Sequence, residues 1–293
     1  MAFHPGETAL QRRTGVRREA WGTAHVPQAI PDVAADFLRT RQLLVLGASD
    51  DAGRVWADVV TGPAGFAEPL DDRTVAIAAR PPILGPVFER EHEIGLIAIE
   101  PAARRRMRVN GTARYQDGRL LITTQQVFAN CPKYITTRSH PGGPAAPGVP
   151  RTGSSLTDAH RALIARSDAF FVATRADGLG ADVSHRGGNP GFVVATGPRT
   201  LTWPDYVGNG MYMTLGNLEL DPSCGLVFPD WEGGRTLHLT GTAGVDWDED
   251  RARAVPGALR MIDFTLDQVI ELPGGVPAGW SPPGYFRHNP PLP

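Results

Sequence analysis

The chain has 293 residues, 41% hydrophobic and 20% charged, enough to bury one large core or two ordinary ones. Its net charge of −2 argues against a surface built for nucleic acid or another polyanion. Two cysteines cannot build a disulfide framework, no stretch approaches the roughly 20 apolar residues that span a bilayer, and the N-terminus lacks a signal-peptide core; a soluble protein of a reducing cytoplasm is expected.

In chain order, residues 1–30 read as an N-terminal extension carrying Arg12-Arg13 and Arg17-Arg18. A short helix is predicted from Pro31, with Asp32 in its first turn and Val33, Ala34, Phe37 and Leu38 as an apolar stripe. Leu43 to Leu46 reads as a strand ending in the turn Asp50-Asp51-Ala52-Gly53. Further strands are predicted over Thr74 to Ala79, Ile94 to Ile99, Met107 to Ala113 and Leu120 to Thr124, closing a unit at 31–138. Residues 139–155 are dominated by Pro and Gly and read as a linker.

A second unit, 156–271, repeats the plan. Thr157 is an N-cap for a helix over Asp158 to Arg166, with Ala159, Ala162 and Leu163 facing inward. Strands are predicted over Ala169 to Val172, Thr200 to Trp203, Gly225 to Phe228, Thr236 to Val245 and Arg260 to Glu271. The tail, 272–293, is Pro-rich, and its Trp280, Tyr285 and Phe286 suggest packing along the surface.

The two units share sequence. Trp56-Ala57-Asp58-Val59 matches Gly180-Ala181-Asp182-Val183 at an offset of 124, and Arg106 to Ala113 matches Thr236 to Ala243 at 130. A period this long means a duplicated domain rather than a solenoid. The fold class expected is mainly β with short helices (α+β): in each copy one helix and a six-stranded antiparallel barrel. The copies differ where a ligand would sit.

Common enzyme motifs are absent. There is no phosphate loop of the Gly-x-x-x-x-Gly-Lys type, no complete dinucleotide fingerprint and no Gly-x-Ser-x-Gly elbow. The eight histidines show no metal-ligand spacing, so no metal site is expected. What remains lies in glycine-rich corners. Ser184-His185-Arg186-Gly187-Gly188 puts a hydroxyl, an imidazole and a guanidinium at a strand end, suited to a phosphate or else simply a solvated barrel corner. Asn209 and Asn217 offer hydrogen bonds to a heteroaromatic edge or a ribityl-like chain, or Asn209-Gly210 is only a turn. In Arg104-Arg105-Arg106-Met107-Arg108, Arg106 and Arg108 share one strand face and Arg105 takes the other, for anion binding or for a protected edge. In Asn130-Cys131-Pro132-Lys133-Tyr134, Cys131 reads as a small hydrophobe.

His4-Pro5-Gly6-Glu7, the arginine-rich strand running to Asn110-Gly111, and Asn130-Cys131-Pro132-Lys133-Tyr134-Ile135 resemble the pyridoxamine 5′-phosphate oxidase-like FMN-binding split-barrel proteins, in particular a tandem, flavin-nucleotide-binding group. The resemblance implies two split barrels paired as an intrachain pseudo-dimer with FMN in the groove between them. It implies Ser184, His185, Arg186, Gly208, Asn209 and Asn217 as cofactor contacts from copy two, with Arg105, Arg106, Lys133 and Tyr134 reaching in from copy one. Departures are His185 where the family pattern has proline, and Gly210 and Met211 where single-domain relatives carry arginines; copy one has Thr61-Gly62 in place of Ser-x-Arg. One asymmetric site is therefore expected. The function expected is an FMN-dependent oxidoreductase acting on a small molecule with an electron donor or acceptor, with Tyr134, Lys133 and His185 as catalytic candidates. The alternative is a non-catalytic flavin or haem module, with His160, His185 or His238 as the axial ligand. The chain is also open to pairing as a homodimer.

Overall fold

The computed structural model describes residues 3–16, 26–143 and 145–292; Arg17 and Arg18 of the extension and Pro144 of the linker lie outside them. In copy one, helix α2 (Asp32–Arg39) follows an N-terminal helix α1 (Pro5–Arg13) and precedes seven strands. These are β1 (Leu43–Ser49), β2 (Val55–Thr61), β3 (Ala67–Pro69), β4 (Thr74–Ile77), β5 (His92–Glu100), β6 (Arg105–Gln116) and β7 (Arg119–Ala129). Copy two has a short β8 (Arg151–Gly153), α3 (Asp158–Arg166), β9 (Ala169–Ala176), β10 (Gly180–Gly187), β11 (Val194–Ala195) and β12 (Thr200–Tyr206). Then come α4 (Met213–Leu220), β13 (Ser223–Pro229), β14 (Thr236–Asp246), α5 (Glu249–Arg253) and β15 (Ala258–Leu272).

The sheet orders are β2-β1-β5-β6-β7-β4-β3 and β10-β9-β13-β14-β15-β12-β11, the same path walked twice, with β8 added beside β15. All pairings are antiparallel, and the fold is two tandem split barrels. Each barrel has seven strands on its path rather than six, because the corner after β2 or β10 forms a short extra strand, β3 or β11.

Each barrel has its own core, around Leu44, Trp56, Leu96 and Ile122 in the first and Phe170, Trp203, Leu226 and Phe264 in the second. The central strands are buried on both faces. Leu44 and Leu46 of β1 point into their barrel, while Leu43 and Val45 join Val59, Ile97, Phe171, Val183 and Val227 in an apolar seam between the barrels. That double burial explains why these strands read as unbroken apolar runs. The backbones meet closely across the seam: a Cβ on Gly95 would stand 2.7 Å from Asp182 Cα, and one on Gly225 would stand 2.7 Å from Trp56 Cα.

The pairing registers correct the sequence repeat. Gly47 pairs with Ala57 and Gly95, whereas Ala173 pairs with Val183 and Gly225. Ala57 is thus the counterpart of Val183, Asp58 of Ser184 and Trp56 of Asp182; the shared Ala-Asp-Val string is out of register by two residues. A two-residue slip keeps every side chain on its face, so alternation alone cannot reveal it. The second match is in register: both copies carry an irregularity in the strand pairing at Asn110/Gly111 and Thr240/Gly241.

The α3 helix runs from Asp158 to Arg166 with Thr157 capping it, as predicted, but Ala159 and Ala162 are exposed and Leu163 and Ile164 face the core. Val33, placed in the apolar stripe of α2, is 65% exposed, and Ala35 takes its place inside. The linker packs on the barrels, with Ala145 N donating to Thr61 Oγ1 (2.8 Å) and Gly148 N to Pro273 O (2.8 Å). The tail is anchored too: Trp280 is buried, and Thr137 and Gly284 exchange two backbone hydrogen bonds. Among the described residues no helix is long and apolar enough to cross a membrane.

Three helices were not expected, α1, α4 and α5, and the first two pack on each other. His4-Pro5-Gly6-Glu7 is a helix start. His4 is the N-cap, Pro5 sits at the first helical position, and Glu7 closes a capping box by accepting from His4 N at 2.8 Å. Gly6 lets the helices touch, since a Cβ there would lie 2.0 Å from Gly216 O. In α4, buried residues run continuously from Met213 to Leu218, so no amphipathic period marks it.

Candidate functional site

Beside the seam the barrels part to leave a cavity of about 350 Å³, within the range usual for small-molecule sites. Copy one lines it with Arg106 and Arg108 of β6 and with Asn130, Cys131, Lys133 and Tyr134 after β7; copy two lines it with β10, the β12–α4 loop and the start of α4. The alternation of β6 sends Arg106 and Arg108 inward together.

Arg108 Nη1 lies 3.0 Å from both oxygens of buried Asp182. Asn110 Nδ2 adds a bond of 3.3 Å to the same carboxylate, and Ser184 Oγ donates to it at 3.1 Å. Ser184 Oγ also bonds Thr214 Oγ1 at 2.7 Å. Because the carboxylate accepts from Ser184, Thr214 must be the donor in that second bond, which leaves its lone pairs to face the cavity it lines.

Arg106 Nη1 meets His185 Nδ1 at 2.8 Å. A guanidinium only donates, so Nδ1 accepts and the proton sits on Nε2. Burial, reinforced by Arg106, Arg186 and Arg108, holds His185 well below the ordinary imidazole range, so it is neutral near pH 7. It is an N–H donor rather than an acid in reserve.

Arg106 has no carboxylate partner among the described residues. It touches His185 and, at 3.4 Å, the Lys133 carbonyl, while its buried Nε has no acceptor. Burial and the neighbouring Arg108 and Arg186 push its pKa down to about 9. Arg186 is lowered by burial and Arg108, opposed by Asp205, whose own carboxyl is raised by burial. Asp205 also meets Arg260, Nε to Oδ2 3.3 Å. The groove therefore holds more buried guanidinium than carboxylate can offset, the condition under which an anion is welcome.

The mouth is aromatic and apolar. The Tyr134 and Tyr206 rings lie 5.3 Å apart, Phe286 of the tail meets Tyr134 edge-on, and Val207 and Leu259 are each about half exposed. Burial raises the Tyr134 phenol and pushes that of Tyr206 up to about 12, so both stay protonated. Tyr134 holds φ 63°, an uncommon conformation for a bulky residue, and its hydroxyl spans the mouth to Val207 O at 3.3 Å.

Of the residues expected to bind a cofactor, Ser184, His185, Arg186, Gly208, Asn209, Arg106, Lys133 and Tyr134 line this cavity. Asn209 also makes the turn, its Oδ1 accepting from Met211 N. Two residues are elsewhere. Arg105 points away, its guanidinium 5.0 Å from the Phe37 ring, because neighbouring residues of β6 take opposite faces. Asn217 is turned by α4 into the interior, where it donates to Thr174 Oγ1 at 3.1 Å. Two haem candidates are also committed elsewhere. His238 bonds Thr236 through Nε2 and Ala57 O through Nδ1, and His160 bonds the Thr157 amide and faces Glu271. Sequence reasoning missed Asp182, Asp205 and Thr214; the shared face with Arg106 was the available signal for Arg108.

The quasi-equivalent groove is different. Thr236 and His238 stand at the positions of Arg106 and Arg108, and Val60 at that of Arg186. Asp58, the counterpart of Ser184, is capped by the Ile83 and Leu84 amides at 2.7 and 2.9 Å. The linker lies over that corner at Thr61.

This is a tandem split barrel with one cationic cleft between its halves. Residues 156–268, the second barrel, match the family described as pyridoxamine 5′-phosphate oxidase. Among solved structures it is similar to HupZ of Group A Streptococcus (17% identity over 42% of this chain and 99% of that one, TM-score 0.35). A FAD-binding protein of Mesorhizobium loti is similar at 13% identity, over 43% and 98%, TM-score 0.29. A FMN-binding protein of Syntrophomonas wolfei is similar at 14%, over 38% and 82%, TM-score 0.29. No curated protein matches the chain.

Proposed function

We propose that the chain binds one FMN in the cleft between its barrels and serves as an oxidoreductase for a small molecule. The observation that carries this reading is Arg106: a buried guanidinium with an acceptorless Nε, crowded by Arg108 and Arg186, in a cavity of ligand size. The phosphate of FMN would supply the missing negative charge to Arg106 and Arg186. The wall beside them has a set polarity, Nε2–H of His185 donating and Thr214 Oγ1 accepting, which matches a heteroaromatic edge with both kinds of group. The match of residues 156–268 to the pyridoxamine 5′-phosphate oxidase family adds support.

FMN, when bound, supplies hydride chemistry at its ring. The protein's part is to orient and enclose. Arg106 fixes the His185 tautomer, Asp182 holds Arg108 and Ser184, and protonated Tyr134 and Tyr206 wall the mouth. Among the described residues of the cleft, Asp182 and Asp205 are each engaged by arginine and His185 donates through Nε2, which suits direct hydride transfer to or from a substrate and a separate redox partner.

The test is a titration of FMN into flavin-free protein, followed by the visible bands and fluorescence quenching. Binding should saturate at one flavin per chain, and Arg186→Ala should weaken it at least about tenfold, the worth of one charge-assisted contact. Two flavins per chain, or an affinity indifferent to Arg186, would overturn the reading.

A further inference from the structure

The tail runs back across the molecule from the first barrel to the corners of the second, passing the mouth of the cleft. Its inner half is firmly held. The Trp280 ring meets Trp231 and His140 edge-on, at 4.8 and 4.7 Å. Ser281 N donates to Ser139 O at 3.2 Å, and Ser139 N donates back to Ser281 Oγ at 2.9 Å. Arg104 Nη2 reaches the Gly284 carbonyl at 3.2 Å, beside the pairing with Thr137. Beyond Gly284 the hold is thinner. Tyr285, Arg287 and His288 are exposed, and Phe286 is half-buried, its ring edge-on to Tyr134 at 6.0 Å. The far end is caught by one side chain: Asn189 Nδ2 donates to Pro290 O at 3.0 Å, and Asn189 Oδ1 accepts from Asn289 Nδ2 at 3.2 Å.

This crossing backs the two rings that wall the mouth. Phe286 lies on Tyr134, and Pro290 covers Gly257, where a Cβ would stand 2.6 Å from Pro290 Cγ and 3.8 Å from Tyr206 Cδ1. Tyr134 holds φ 63°, a backbone state that its surroundings must impose. We propose that residues 285–292 are a strap that regulates access to the cleft, latched by Asn189. While the latch holds, Phe286 keeps Tyr134 against Tyr206 and the mouth stays narrow. When it parts, the outer half lifts away and Tyr134 is free to turn out, while Trp280 and Gly284 keep the strap attached. A segment with exposed side chains and few apolar contacts opens locally at far lower cost than a barrel strand. The strap regulates the site of the flavin reading and rests on that reading only for what passes through.

The protein carries its own reporter of access. Cys131 is half-buried and lines the cavity, whereas Cys224 is fully buried, with its thiol raised further by that burial, and should stay silent. In flavin-free full-length protein, labelling of Cys131 by a bulky maleimide is compared with labelling by iodoacetamide, each located by peptide mass mapping. Asn189→Ala removes both latch bonds and should speed the maleimide reaction about 5- to 50-fold, the worth of two neutral hydrogen bonds. The small reagent should react at close to the wild-type rate. Phe286→Ala should act in the same sense, and unfolding at the wild-type temperature establishes that each variant is folded. Maleimide rates unchanged in both variants, or both reagents accelerated equally, overturn the proposal. Adding FMN separates the two readings. If FMN shields Cys131 but neither variant labels faster, only the strap falls; if the variants label faster and FMN shields nothing, only the flavin reading falls.

Discussion

Replacing Arg106 by glutamine should move stability and flavin affinity in opposite directions. Glutamine keeps an N–H for His185 Nδ1 and removes the charge. The fall of Arg106 from 12.5 to about 9 corresponds to a penalty on the order of 5 kcal/mol against the charged form at 1.36 kcal/mol per unit. Water reaching the cleft screens most of that, and a net gain of about 1–2 kcal/mol is expected for the flavin-free variant. The sign follows from linkage. A base whose folded pKa is lowered is penalised at every pH below that value, so the gain should be level from pH 6 to 8 and shrink above about 9. Urea denaturation of flavin-free protein measures it. In the FMN titration the same variant should lose about 10- to 100-fold in affinity, one charge-assisted contact. A variant less stable than wild type when flavin-free, with unchanged FMN affinity, would refute the view that this guanidinium is kept for an anion.

Three further outcomes are expected. Gly6→Ala should lower stability by about 1–3 kcal/mol in thermal or urea unfolding, since its Cβ would collide with Gly216 O and lift α1 from α4. Burial raises Glu7 to about 7, so wild type loses stability as pH rises from 4.5 through 7. Glu7→Gln, which preserves the capping box, should be the more stable at pH 8 by no more than about 3 kcal/mol and equal at pH 4.5, by denaturation at both pH values. Asp182→Asn leaves Arg108 uncompensated and should cost about 3 kcal/mol of stability, read by urea unfolding.

Strand alternation and turn residues were enough to place β5, β6, β13 and β14 and to separate Arg105 from Arg106, because each depends on neighbours in the chain. The resemblance placed Arg105 in the site nonetheless, against the alternation that sends it to Phe37. What was illegible depends on partners far away in sequence. The α4 helix is buried across its whole length and so lacks a period; its burial against α1 and β9 turns Asn217 inward and brings Thr214 to the cleft. The two-residue slip between Asp58 and Asp182 shows only in the pairing of each strand with its neighbours. His4-Pro5-Gly6-Glu7 reads as a family motif, yet its residues start a helix and seat it on another.

The linker across Thr61 has a consequence for how such a site can change. In a pair of identical subunits every substitution is made twice, so crowding three arginines into one groove crowds the other as well. Here covalent joining frees the halves from each other: Thr236, His238 and Val60 can seal one groove while Arg106, Arg108 and Arg186 load the other. The electrostatic cost of crowding buried guanidiniums is then borne once per molecule, in the groove that Arg106 and Arg108 of copy one share with Arg186 of copy two.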